Sequence, residues 1–213
     1  MLKTIFFDND GVLVDTEIHY FNATKVSLEE IGISLDLNEF IDLFMVKNIG
    51  TLHKIQHAGF SKDVYKKVVE KRDRLYHDLL SKNNAILPDV YDIVEKLSHK
   101  YQLCIITSSL RMHFEVIHQH TKLLPFFEII ICNEDVTKTK PHPEPYLKAL
   151  EQSGFTKEEA IIIEDSQRGL ISAQKANIRS IAIPGHLNQQ GDFSEATYRL
   201  ETIKELPALL EKL

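Results

Sequence analysis

The stretch TIFFDNDGVLVDT (4–16) runs a solidly apolar segment of strand length straight into two aspartates one residue apart. Unbroken apolar character over so few residues suits a strand buried on both faces, as in a parallel sheet. Four further runs share it: QLCIIT (102–107), EIIIC (128–132), AIIIE (160–164) and RSIAI (179–183). Between these lie stretches of helical length and pattern, MHFEVIHQHTKL (112–123), PEPYLKALEQSG (143–154) and SQRGLISAQKAN (166–177). Strands alternating with helices make right-handed βαβ units, so the expected fold is α/β with a doubly wound parallel sheet.

The long gap between the first two strands reads differently. Residues 16–84 carry no convincing strand, have helix stops at Gly32 and Gly59, and end in a charged helix, SKDVYKKVVEKRDRLYHDLLSKN (61–83). This is a helical insertion that leaves the sheet after Asp15 and returns before Pro88. The expected domains are therefore a core of residues 1–15 and 85–213 and a helical domain of residues 16–84. The tail from Glu195 reads as a strand or turn followed by the helix KELPALLEKL (204–213).

Composition narrows the function. The 213 residues are 43 % hydrophobic and 26 % charged, ordinary for a folded globular chain. With 25 Lys+Arg against 31 Asp+Glu the net charge is −6, and no dense basic run offsets it, so a nucleic-acid partner is disfavoured. No stretch approaches the roughly 18 apolar residues of a membrane span, and the N-terminus lacks the apolar region of a signal peptide. The expected location is cytoplasmic, without a membrane partner, as a monomer or weak homodimer. The two cysteines, Cys104 and Cys132, sit inside apolar runs and read as small buried hydrophobes.

Ligands of open parallel sheets bind at the carboxyl ends of the strands. Those ends deliver Asp8-Asn9-Asp10-Gly11, then Thr107-Ser108-Ser109, then Asn133-Glu134-Asp135 leading to Lys140, then Glu164-Asp165-Ser166. Each has a bland reading: D-x-D-G is a turn signal, the hydroxyl residues and Asp165 are helix caps, and Lys140 is a loop lysine. Their shared location at one rim favours a site. Alternation along an extended segment puts Asp8 and Asp10 on one side and Asn9 on the other. Two carboxylates facing Glu164 and Asp165 call for a cation, and an oxygen-seeking Mg²⁺ that takes the rest of its shell from a phosphate fits. Lys140 would balance the phosphate charge, and Thr107 with backbone N–H groups would hold its oxygens. The chemistry is phosphoryl transfer, with Asp8 as nucleophile through an aspartyl-phosphate and Asp10 moving protons.

DNDGVLVDT, IITSS, KTKPHPEPY and IIIEDSQRG, in that order and with the insertion after the first, resemble the four signature motifs of the haloacid dehalogenase (HAD) superfamily. They are similar in particular to those of its helical-cap phosphatases and β-phosphoglucomutases. The resemblance implies a Rossmann-like core with an inserted helical-bundle cap domain and Mg²⁺ dependence. It also implies metal ligation by Asp8, the Asp10 backbone carbonyl and Asp165, with Glu164 acting through the metal's waters. Gly11, Thr107, Ser108, Ser109 and Lys140 are the corresponding phosphate-binding candidates. Dehalogenases of the superfamily typically lack the second aspartate of the first motif, so Asp10 argues against that activity.

In the mutases a cap arginine grips a distal phosphate. The comparable stretch here, FMVKNIGTLHKI (44–55), has Lys47 and Asn48 and no arginine. A lysine lacks the bidentate fork, which favours hydrolysis. His19 lies one position from a closure-setting histidine of the mutases and stands as a substrate-side candidate with Lys47 and Asn48. His53 and His57, four apart on a cap helix, read as surface or partly packed, and His118 and His120, two apart on a later helix, read as structural. The leading expectation is a Mg²⁺-dependent phosphomonoester hydrolase acting on a small phosphorylated metabolite, a sugar phosphate. A phosphosugar mutase on the same site is the alternative, and a catalytically silent binding or regulatory protein is a third reading that no residue favours.

Overall fold

A computed structural model describes all 213 residues. Strands β1 (Thr4–Phe7), β2 (Gln102–Ile106), β3 (Ile129–Ile131), β4 (Ala160–Glu164), β5 (Ser180–Ala182) and β6 (Tyr198–Arg199) form one parallel sheet in the order β3-β2-β1-β4-β5-β6. The first strand lies in the middle, with Phe7 opposite Ile105 of β2 on one side and Ile163 of β4 on the other. Strand order reverses there, so the crevice opens above the carboxyl ends of β1, β2 and β4.

Helices α1 (Glu17–Glu29), α2 (Leu37–Phe40), α3 (Leu52–His57) and α4 (Lys62–Leu80) lie between β1 and β2. Then follow α5 (Val90–Ser98), α6 (Arg111–His118), α7 (Glu144–Ser153), α8 (Gln167–Ala176) and α9 (Leu206–Leu210). Side chains of a strand alternate between faces, and the apolar runs bury both. Phe6, Cys104 and Ile162 face α7 and α8 through Tyr146, Ala149 and Ala173. Ile5, Phe7, Leu103, Ile105, Ile161 and Ile163 face the other way, among Val94, Leu97, Phe114, Ile117 and Leu206 of α5, α6 and α9. This is the expected doubly wound sheet.

The insertion contains no strand and has an apolar cluster of its own, including Phe21, Leu28, Phe40, Leu43, Ile55 and Val68. Its segment Ile41–Val46 is π-helical and places Phe44 stacked on Phe40 at a centroid distance of 4.7 Å. Ala23, Tyr76 and Leu80 of α1 and α4 join the larger sheet-side cluster, and α4 touches α6. No helix is long and apolar enough to cross a membrane.

One helix is shorter than its sequence pattern. The run 112–123 predicts helix to the end, but α6 stops at His118. The Thr121 hydroxyl pairs with the His118 ring at 2.8 Å and accepts from the Leu123 N–H, so a side chain takes over the backbone's partner and turns the chain. His120 therefore lies beyond the helix and is exposed, and His53 and His57 are exposed on α3. Both cysteines are free and buried.

Candidate active site

Asp8 follows β1 directly, its N–H donating to the Ile163 carbonyl at 2.9 Å. Its Oδ1 accepts from Lys140 Nζ at 2.8 Å, and the same ammonium donates to Glu164 Oε1 at 2.7 Å and to the Ile106 carbonyl at 2.8 Å. An ammonium has three donors, and all three are used. Glu164 ends β4 with no exposure: Oε1 also accepts from Tyr146 Oη at 2.6 Å, and Oε2 accepts from Ser166 Oγ at 3.0 Å and the Asp165 N–H at 3.2 Å. Four segments far apart in sequence are thus joined through one buried lysine.

Two glycines permit this packing. A Cβ on Gly169, in the first turn of α8, would lie 1.8 Å from the Glu164 carboxyl carbon. Gly11, at φ +82°, would carry a Cβ 2.0 Å from Asp165 Oδ2. Only glycine takes that backbone angle and that approach together without strain.

Asp10 accepts from the Thr16 hydroxyl, from Ser109 Oγ at 2.8 Å and from Thr107 Oγ1 at 3.3 Å. Thr107 Oγ1 in turn accepts the Ser109 N–H at 3.0 Å. Asn9 is fully buried and turned from the cavity, its Oδ1 paired with His118 Nε2 at 2.8 Å. With an oxygen acceptor there, the ring carries its proton on Nε2 and accepts from Thr121 at Nδ1. Asn188, in the loop after β5, donates to Glu17 Oε1 at 2.9 Å and to Asp165.

The carboxylates are not balanced by the one lysine. Burial, then Glu164 and Asp10, push Asp8 up to about 7 against the pull of Lys140. Burial, then Glu17, Asp8 and Glu164, hold Asp165 well above the usual carboxylate range. Burial, then Asp10 and Asp15, raise Glu17 to about 7. Burial works the same way on Glu164, but Lys140 and the Tyr146 and Ser166 hydrogen bonds outweigh it and keep Glu164 low. Oxygens of Asp8, Glu164 and Asp165 all lie within 4.8 Å of one another. A buried cluster of surplus negative oxygens is what a hard divalent cation fits.

A cavity of about 400 Å³ opens over these groups, between the strand ends and the helical insertion. Asp8, Asp10, Thr107, Ser108, Ser109 and Asp165 line it, as does Asn48 from the insertion. Lys140 and Glu164 are not in its wall; they stand buried and hydrogen-bonded to the groups that are. The three donors of Lys140 serve Asp8, Glu164 and Ile106. His19 and Lys47 are also outside the wall, Lys47 being exposed and paired with Asp42 at 2.6 Å.

Several lining residues were not singled out from the sequence. Glu17 begins α1 directly after Thr16, Asn188 lies in an unpatterned loop, and Arg168 sits two residues past Ser166. Arg72, from the charged helix over 61–83, turns inward over the Tyr20 ring at 4.9 Å. The neighbours Arg72 and Asp73 do carry a helical signal, since they fall one turn before buried Tyr76.

Comparison with known proteins agrees with this fold. Pyrophosphatase PpaX of Oceanobacillus iheyensis is 26 % identical over 96 % of this chain and 95 % of its own. Among solved structures, β-phosphoglucomutase from Clostridium difficile superposes with a TM-score of 0.82 over 100 % of this chain and 97 % of its own at 22 % identity. CbbY from Rhodobacter sphaeroides, solved with phosphate, gives 0.81 over 97 % and 96 % at 22 %. At such identities the two structures speak for the fold. The sequence pattern of the haloacid dehalogenase-like hydrolases matches residues 5–183, and this chain belongs to that family.

Proposed function

We propose that the protein is a Mg²⁺-dependent phosphomonoester hydrolase acting on a small phosphorylated metabolite, a sugar phosphate, through an aspartyl-phosphate on Asp8. The convergence of Asp8, Asp10, Thr107 and Asp165 on one cavity floor, with Lys140 bound to Asp8 from beneath, carries the reading. Residues 16–84 act as the cap over a core of residues 1–15 and 85–213, and closure of the cap excludes water.

Asp8, Asp165 and the Asp10 carbonyl would hold the cation, with Glu164 beside them, and the cation supplies charge neutralisation among the carboxylates and the phosphate. Asp8 Oδ1 is tied to Lys140, which leaves Oδ2 free to attack. A bond forms from Oδ2 to phosphorus as the ester P–O bond breaks, and Asp10, as general acid, passes a proton to the leaving oxygen. Asp10 then takes a proton from water, whose oxygen attacks phosphorus and releases phosphate from Asp8. The Thr16 and Ser109 hydroxyls hold Asp10 between these roles.

Phosphate release is measured over sugar phosphates, phosphoglycolate, nucleotides and pyrophosphate, with and without Mg²⁺. Release requires Mg²⁺ and disappears in Asp8→Asn; full activity in that variant refutes the mechanism. Isomerisation of β-glucose 1-phosphate faster than its hydrolysis, with a bisphosphate primer, would select the mutase alternative.

A further inference from the structure

The wall of the cavity carries carboxylates at Asp8, Asp10, Glu17, Asp73 and Asp165 and two guanidiniums, Arg72 from α4 and Arg168 from α8, that stand about Tyr20. Arg72 is held by its neighbour Asp73 through two donors, at 2.9 and 2.7 Å. Arg168 has no carboxylate partner; its one side-chain hydrogen bond is to Asn48 Oδ1 at 3.4 Å, across the gap between α8 and the insertion. Both guanidiniums act on Tyr20, whose phenol they draw down against its burial. Two further polar atoms of the cavity lining are buried without a partner, Ser108 Oγ and His113 Nε2, the His113 side chain being 4 % exposed. A buried polar atom without a partner is costly unless something else completes it.

The geometry points to a second oxyanion subsite, in which Arg168 from the core and Arg72 from the insertion hold a phosphate or carboxylate at the far end of the substrate. The inference rests on the phosphatase reading above and names the substrate class: phosphomonoesters with a second anionic group. An arginine fork binds both kinds of oxyanion, and a partnerless one is free to do so. The missing arginine of residues 44–55 is thus supplied from α4 and α8 instead. Because the two forks belong to different halves of the molecule, an anion between them also draws the insertion down on the core.

The test compares kcat/KM within sets that differ only at the distal end. Glucose 1-phosphate, glucuronic acid 1-phosphate and glucose 1,6-bisphosphate form the long set, and 2-hydroxyethyl phosphate with phosphoglycolate the short one. A charge-assisted hydrogen bond of this kind corresponds to a preference of about tenfold to a hundredfold for the anionic tail in at least one set. The carboxylate and bisphosphate members show which oxyanion is held. In Arg168→Gln the ratio of anionic to neutral substrate collapses toward one, and Arg168→Lys restores it in part. Because the ratio is taken within one variant, a general loss of activity does not mimic the result. Hydrolysis with no tail preference in either set, or an equal fall for both tails in Arg168→Gln, overturns the subsite and leaves the phosphatase reading standing. A protein that hydrolyses neither these nor p-nitrophenyl phosphate in Mg²⁺ fails the phosphatase reading, and the subsite falls with it.

Discussion

Gly169→Ala separates what a helix alone would dictate from what this site dictates. Within a helix, replacing glycine by alanine stabilises by about 1 kcal/mol, because alanine loses less backbone freedom on folding. At Gly169 the new Cβ would fall 1.8 Å from the Glu164 carboxyl carbon and its Oε1, and 2.1 Å from Oε2. Glu164 has no exposure and is held by Lys140, Tyr146 and Ser166, so it cannot swing aside without breaking bonds to a buried charge. Overpacking costs about 1–3 kcal/mol. Loss of one charge-assisted hydrogen bond adds about 1.5–3 kcal/mol. Against the helix gain, the net is a destabilisation of roughly 2–5 kcal/mol. In a chain of this length each kcal/mol lowers Tm by about 2–4 °C, so a fall of roughly 4–20 °C is expected by calorimetry. Phosphate release falls as well, because a displaced Glu164 takes Lys140 from Asp8. A Tm equal to or above that of the parent protein refutes the reasoning.

Other outcomes follow from the same groups. Lys140→Met leaves Asp8 and Glu164 buried without their counter-ion, and urea unfolding should show a loss of about 3–5 kcal/mol; a loss under 1 would mean that the carboxylates relax into water. Burial holds His118 down from its ordinary 6.5 to about 4, so the unfolded chain binds the extra proton between those values and stability drains away as pH falls from 6.5 to 4. That drop is about 3 kcal/mol at 1.4 per pKa unit, and it should be absent from His118→Gln when the two proteins are unfolded side by side in urea. For Asp8 the sign is opposite: its carboxyl sits near 7 folded against 3.8 ordinarily, so the stabilisation present below 3.8 is lost as pH rises through 7 in metal-free protein. Added Mg²⁺ competes with that proton and should raise Tm more at pH 8 than at pH 5; the reverse order would place the cation elsewhere.

Much of this architecture was legible in the residues because burial on both faces of a parallel sheet leaves a plain trace. TIFF, QLCII and AIIIE could be neither amphipathic helix nor half-wet strand, and the polar residues at their ends had to meet wherever those ends met. Asp8, Asp10, Thr107 and Asp165 line one cavity for that reason, and a strandless block between β1 and β2 had to leave the sheet and come back. The sequence alone also turned Asn9 out of the cavity, since alternation along an extended chain is local geometry; its Oδ1 meets His118 while its amide still reaches Asp10 Oδ2 at 3.4 Å.

Tertiary structure decided what no local rule encodes. A lysine's partners are chosen by whatever lies around it once the chain is packed: Lys140 turned out to be walled in by Asp8, Glu164 and Ile106, away from the cavity wall. Arg72 and Arg168 lie 96 positions apart and on different halves of the molecule, so only the folded chain sets both against Tyr20. Gly169 is indistinguishable in sequence from any tolerated helix glycine until Glu164 is seen against it. Periodicity fixes which face a side chain takes, because backbone geometry repeats; which other segment that face meets depends on long-range packing, and there the forks and the buried lysine were settled.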